Sequence, residues 1–144
     1  MKIIITGCDG YIGWPTFLKL CFSKRQLTIL GIDNLSRRKW VNEVGSNSET
    51  KIFSMKARIG KLKKIKLNTK FNFIKLDLLE KNKVKKLIQK FKPDAILHLA
   101  AQPSAPYANK SLEKSVFTSK NNNISTLNLL WSLKELNMEK KVKF

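Results

Sequence analysis

The chain has 144 residues, 42% of them hydrophobic, and 29 Lys and Arg against 10 Asp and Glu give a formal net charge of +19. The length suits one domain with a buried core, and no apolar run approaches the roughly 20 residues of a membrane span, so no membrane partner is expected. The excess charge is mostly Lys spread over solvent faces, as in Lys81, Lys83, Lys85, Lys86, Lys90 and Lys92. Nucleic-acid sites are richer in Arg interleaved with aromatics, so nucleic acid is not expected either, although the field would steer an anionic nucleotide inward.

Residues 2–6 are a short β-branched run and predict a buried strand. Its three isoleucines are too few for a signal-peptide core and run straight into a glycine motif, which makes a cytoplasmic location the expectation. Cys8 and Cys21 match neither a metal pattern nor a disulfide framework and read as reduced thiols. Residues 11–24 carry helical periodicity, with Pro15 in the first turn where its missing N–H does little harm. A second strand over 27–32 is closed by Asp33 and Asn34.

The stretch from 35 to 70 is polar, basic and too long for an ordinary connection, so a helical insertion is expected. Ser36 would cap one helix through Val44. A second helix over 51–66 would place Ile52, Met55, Ile59 and Leu62 on one face. Alternation then resumes: a strand over 71–76 ending at Asp77, a helix over 81–91 stopped by Pro93, a strand over 95–100, and a loop over 102–109. A long helix over 111–136, bent near Asn121 and Asn123, follows, and 142–144 begin another strand. This rhythm predicts an α/β fold, a doubly wound Rossmann-type parallel sheet of about four strands with helices on both faces. Its ligand site lies at the carboxyl ends of the strands.

The strongest motif is Thr6-Gly7-Cys8-Asp9-Gly10-Tyr11-Ile12-Gly13, which follows a strand and opens a helix. Gly7 permits the tight turn, Gly10 lets backbone N–H groups approach a diphosphate, and Gly13 allows close packing. The helix N-terminus adds partial positive charge. Asp33, about 20 residues further on, stands where an acid accepts hydrogen bonds from a ribose and repels a 2′-phosphate, which favours NAD over NADP. Arg37 and Arg38 oppose that preference, because a nearby Arg accommodates such a phosphate. Asp9 is unfavourable beside a diphosphate unless it points away. Arg37, Arg38 and Arg58 are candidates to hold phosphate or stack on adenine. His98, Trp14, Trp40 and Trp131 read as packing residues.

The Gly-x-x-Gly-x-x-Gly spacing resembles the extended short-chain dehydrogenase/reductase family of sugar-nucleotide epimerases and dehydratases. Asp77-Leu78 is similar to the pair beside adenine, and Leu99-Ala100-Ala101-Gln102 to the segment along the cofactor. Asn122, Thr126 and Asn128-Leu129-Leu130 are similar to the family's Asn-x-x-Gly-Thr-x-Asn-Leu-Leu helix. The resemblance implies an NAD site of Gly7, Gly10, Tyr11, Ile12, Gly13, Asp33, Asn34, Leu35, Ser36, Arg37, Asp77, Leu78, Leu99, Ala100, Ala101 and Asn122. It also implies substrate contacts at Gln102, Ser104 and Tyr107, and no metal.

Three segments narrow the resemblance to a branch that builds a sulfonated UDP-sugar for sulfolipid. They are Gly10 to Trp14, Asp33 to Arg38 and Gln102 to Tyr107. Two positions depart from it: Pro103 stands in the place of an Arg that contacts substrate, and Ser125 in the place of the helix Gly. The family uses a Tyr-x-x-x-Lys pair, but Tyr11 is followed at that offset by Pro15, and Tyr107 by Ser111. The resemblance therefore implies that the chain, residues 1–144, is the N-terminal NAD-binding part of a longer, homodimeric enzyme acting on a UDP-sugar. No catalytic residue is expected within it.

Overall fold

The computed structural model describes residues 1–144. Strands β1 (Lys2–Thr6), β2 (Thr28–Asp33), β3 (Lys70–Lys75) and β4 (Ala95–His98) form one sheet in the order β3-β2-β1-β4, with every pairing parallel. The continuous Ile3-Ile4-Ile5 run belongs to a strand buried on both faces. Side chains alternate across a strand, so Ile3 and Ile5 meet Phe17, Cys21, Met55 and Ile59 on one face. Ile4 meets Leu30, Ile32, Ile88, Ile96 and Leu129 on the other. Helices α1 (Gly13–Cys21) and α3 (Met55–Leu62) cover the first face. Helices α4 (Lys81–Phe91) and α6 (Leu112–Glu135) cover the second. Two short helices, α2 (Arg37–Glu43) and α5 (Ala105–Ala108), lie beside the carboxyl ends of the strands.

The chain leaves β1 toward β2 on one side and reaches β4 on the other. The crevice between β1 and β4 is therefore the topological switch point, where ligands of such sheets bind.

Several local expectations change. Ser36 makes no cap: its backbone is already helical (φ −68°, ψ −26°) and its side chain accepts no helix N–H. Ser54 caps instead, its Oγ accepting the Ala57 N–H, so α3 starts at Met55 and Ile52 stays exposed. Strand β4 ends at His98: the Leu99 N–H makes the last ladder bond to the Thr6 carbonyl, and Gly7 then crosses against the Leu99 carbonyl. The 102–109 segment is not all loop: Ser104 caps α5 by accepting the Tyr107 N–H. Helix α6 runs uninterrupted past Asn121 and Asn123. Near the C-terminus Lys143 makes one parallel bridge to Ala95.

Candidate functional site

The turn between β1 and α1 is built where no β-carbon can stand. Gly7 has φ +70°, and a Cβ there would lie 2.5 Å from the Leu99 carbonyl oxygen. At Gly13 a Cβ would run into the Gly7 carbonyl. These contacts bring the first turn of α1 against the carboxyl ends of β1 and β4, and open a cleft of about 420 Å³. That volume is within the usual range for ligand pockets.

Most of the expected cofactor residues meet in this cleft. The turn contributes Gly7, Gly10, Tyr11, Ile12 and Gly13, and the end of β2 contributes Asp33 and Asn34. Arg37 comes from α2, Asp77 and Leu78 from beyond β3, and Leu99, Ala100 and Ala101 from beyond β4. Leu35 and Ser36 do not line it; Leu35 takes φ +65° and packs on the first-face core.

The Asp33 carboxylate is fixed by two backbone donors, Leu35 N–H to Oδ1 at 2.6 Å and Asp9 N–H to Oδ2 at 2.8 Å. Each oxygen keeps a lone pair for a further donor. Burial pushes the Asp33 carboxyl above its ordinary value, opposed by the Leu35 N–H and by the charges of Arg38 and Arg37. Asn34 donates to Asp77 Oδ2 at 3.0 Å and Leu79 N–H donates to Oδ1 at 2.9 Å, which ties the ends of β2 and β3 together.

Asn122 is not on the cleft wall. Its Oδ1 accepts the Gln102 N–H at 2.8 Å and its Nδ2 donates to the Gln102 carbonyl at 3.1 Å, which clamps the segment after β4. The α6 residues that line the cleft are Asn121 and Ser125, one turn apart on one helix face. Asn122 and Thr126 have the same spacing about 100° around the helix, so spacing alone does not tell the two pairs apart. Trp40 and Pro103 also border the cleft and were not expected there.

Gln102, Ser104 and Tyr107 give their polar atoms to one another and to neighbouring helices. Gln102 Oε1 accepts the Ser104 N–H at 2.5 Å, and its Nε2 donates to Thr118 Oγ1 at 3.4 Å. Tyr107 is 3% exposed, packs on Trp40 and Phe117, and accepts from Lys114 Nζ at 3.1 Å. Gln102 and Ser104 border a second hollow of about 1080 Å³, between the start of α1, α2 and the 46–53 segment; Tyr107 borders neither hollow.

His98 bridges Thr6 Oγ1 through Nδ1 at 2.7 Å and Thr126 Oγ1 through Nε2 at 2.9 Å. Burial pushes its pKa down, so a neutral imidazole joins β1 to α6. Trp14 stacks on Phe17 and Trp40 packs on Phe117, whereas Trp131 is half exposed beside Lys134.

Asp9 turns its carboxylate away from the cleft. Its side chain is 3% exposed and receives Arg38 through Nε at 2.7 Å and Nη2 at 2.8 Å, together with Nη2 of Arg58. The Arg58 guanidinium lies 4.4 Å from the Trp14 ring. On the other side of the insertion, Lys114 Nζ holds Glu43 Oε2 at 2.5 Å and so fastens α2 to α6.

The fold and cleft define a Rossmann-type domain of the sugar-nucleotide epimerase and dehydratase kind. A family model described as GDP-mannose 4,6 dehydratase matches residues 4–144, and the chain belongs to that family. It is 38% identical over 136 residues to UDP-sulfoquinovose synthase of Sulfolobus acidocaldarius, covering 94% of this chain and 34% of that protein. It is 33% identical over 138 residues to the chloroplastic UDP-sulfoquinovose synthase of Spinacia oleracea, covering 96% and 28%. The UDP-Glc/GlcNAc 4-epimerase of Campylobacter jejuni superposes with a TM-score of 0.69 at 27% identity, over 95% of this chain and 34% of that one. A dTDP-glucose 4,6-dehydratase of Bacillus anthracis, solved in complex with NAD, shares the fold with a TM-score of 0.66 at 18% identity, over 99% and 36%. The chain spans about a third of the length of the curated relatives it matches.

Proposed function

We propose that the chain is the NAD-binding portion of a sugar-nucleotide-modifying enzyme resembling UDP-sulfoquinovose synthase, which makes UDP-sulfoquinovose from UDP-glucose and sulfite. The observation that carries the reading is the glycine turn at the β1–β4 switch point, with Asp33 fixed beside it at the end of β2. The missing β-carbons leave a cradle in which backbone N–H groups and the α1 N-terminus would hold a diphosphate. Asp33 keeps free lone pairs that ribose hydroxyls would fill, and its charge would repel a 2′-phosphate, which favours NAD over NADP. Leu78 would lie against adenine, and the Leu99 to Ala101 segment along the rest of the dinucleotide. When bound, NAD supplies the hydride acceptor for oxidation of a sugar carbon. The setting this reading carries is sulfolipid-precursor synthesis in the cytoplasm by a homodimer, with the UDP-sugar as partner.

A second reading, an NAD-dependent 4-epimerase or dehydratase, is favoured by Pro103. It borders both hollows and offers no side-chain donor to a sulfonate or sulfite.

Isothermal titration with NAD⁺ tests the common part: one saturable site is expected, weakened at least about tenfold by Asp33→Ala through loss of a charged hydrogen-bond acceptor. No heat of binding from NAD⁺ contradicts it. UDP-glucose added next to the full-length enzyme separates the two readings, since binding that sulfite tightens supports the synthase and indifference to sulfite supports the epimerase or dehydratase.

A further inference from the structure

One side chain joins the acid of the cleft to the insertion. The Asp9 N–H donates to Asp33 Oδ2 at 2.8 Å, while the Asp9 carboxylate faces the opposite way and receives two guanidiniums. Arg38 meets it fork to fork, with Nε on Oδ2 and Nη2 on Oδ1. The same guanidinium reaches the Phe53 carbonyl through Nη2 at 3.0 Å and the Ile52 carbonyl through Nη1 at 3.4 Å. Every nitrogen of Arg38 is thus engaged on the insertion side. Arg58 shares Oδ1 and rests on Trp14, so the carboxylate carries two cations at a position anchored to α1.

The direction in which Arg38 points has a chemical consequence. Arg38 pairs with the Asp9 carboxylate while the Asp9 N–H donates to Asp33, so one residue separates its guanidinium from the acid that would meet a ribose. A ribose 2′-phosphate is accommodated by an arginine beside that acid, and a planar guanidinium suits a phosphate. Arg37 already borders the cleft, with Nη1 3.9 Å from where a Gly10 Cβ would sit, and its charge also reaches Asp33. Release of Arg38 would therefore add a second arginine near the acid.

We infer that Asp9 is a positioning residue that tunes dinucleotide specificity: by holding Arg38 against the insertion, it withholds a second arginine from NADP, beside the Arg37 already on the cleft, and keeps the cleft selective for NAD. The inference rests on the reading of the cleft as an NAD site. Bidentate pairing sets the direction of the guanidinium as well as its distance, and the Asp9 carboxylate is buried while the Arg38 side chain stays 35% exposed. Asp9→Asn keeps the shape and the backbone N–H to Asp33 and removes the charge that holds Arg38 and Arg58; the Arg38→Ala double variant isolates the part due to Arg38.

The test is the ratio of NAD⁺ to NADP⁺ dissociation constants, measured by titration calorimetry at one salt concentration. The proteins are the parent chain, Asp9→Asn, Arg38→Ala and the double variant. The parent prefers NAD⁺. Asp9→Asn is expected to erode the preference about tenfold through tighter NADP⁺ binding, the effect of about one charge-assisted hydrogen bond. Arg38→Ala alone leaves the preference intact, and adding it to Asp9→Asn restores the parent ratio. If Asp9→Asn melts below the assay temperature, Asp9→Ser is read in the same way. A merely structural Asp9 would weaken both dinucleotides in parallel, and an unchanged ratio in a parent that binds NAD⁺ overturns this inference alone. A parent that binds neither dinucleotide overturns the NAD reading itself and this inference with it.

Discussion

The glycine turn and the 35–70 insertion border the same two hollows, with Gly10, Tyr11, Arg37 and Trp40 shared between them. They are built by different physics. The turn is a backbone device, fixed where Gly7 and Gly13 leave no room for a β-carbon. The insertion packs Met55, Ile59 and Leu62 on the sheet and is also fastened by charge, through Asp9 with Arg38 and Arg58 and through Glu43 with Lys114. A backbone device fails with one added methyl but ignores the charge of its neighbours. A charged fastening tolerates changes of shape but fails when a partner is neutralised. The cleft needs both, because Asp33 is held from one side by its own turn and from the other by Asp9.

The largest effect should come from Gly13→Ala. The new methyl meets the Gly7 carbonyl, which is backbone and cannot swing away, and overpacking of this kind costs about 3 kcal/mol in urea unfolding. A loss well under about 1 kcal/mol would show that the turn has slack.

Arg58→Met is expected to cost less, about 1–2 kcal/mol, because Asp9 keeps Arg38 when it loses its second guanidinium. Native-state hydrogen exchange should show faster exchange in 46–62 with β1 unchanged. Equal acceleration in both regions would erase the distinction between them.

Acid should act on the cleft through Asp33. Its carboxyl is raised above 3.8 by burial, and ribose hydroxyls need the ionised form as acceptor. NAD⁺ affinity is then full above the raised pKa and falls as pH drops through it, starting at a higher pH than an ordinary aspartate would give. Asp33→Asn should bind weakly with a flat pH profile. In the free chain the sign is opposite: ionisation of Asp33 removes stability as pH rises from 3.8 through the raised value.

The smallest effect lies far from both regions. Hydrogen bonds from Lys81 and then Lys85 hold Glu135 down to about 2 from 4.5. That contribution is present above pH 4.5 and is lost as pH falls toward 2. Glu135→Gln should flatten the acid limb of the stability curve only slightly, since the group is exposed and screened.

The sheet was legible because burial on both faces leaves a local trace, the run of Ile3, Ile4 and Ile5, and α4 because its apolar positions repeat with the helical period. The glycine turn was legible because steric exclusion leaves glycines at fixed spacing. What escaped were partnerships that only the folded chain creates. Ser36 and Ser54 are equally good caps by type, and tertiary contacts select Ser54. Asn121 and Asn122 are adjacent and chemically identical, so only the rotation of α6 against the sheet decides which one faces the cleft. Asp9 looked like a liability beside a diphosphate, because the arginines that neutralise it lie 29 and 49 residues further along.

We read the turn between β1 and α1 as a cradle for a dinucleotide diphosphate. The most direct measurement is the unfolding midpoint of the chain as NAD⁺ is raised, with Gly10→Val alongside to fill the cradle. A ligand that binds only the folded state stabilises it by about 2.7 kcal/mol at one hundred times its dissociation constant. The midpoint should climb with NAD⁺ in the parent and stay level in Gly10→Val. A cooperative parent transition that NAD⁺ does not move would contradict the cradle reading.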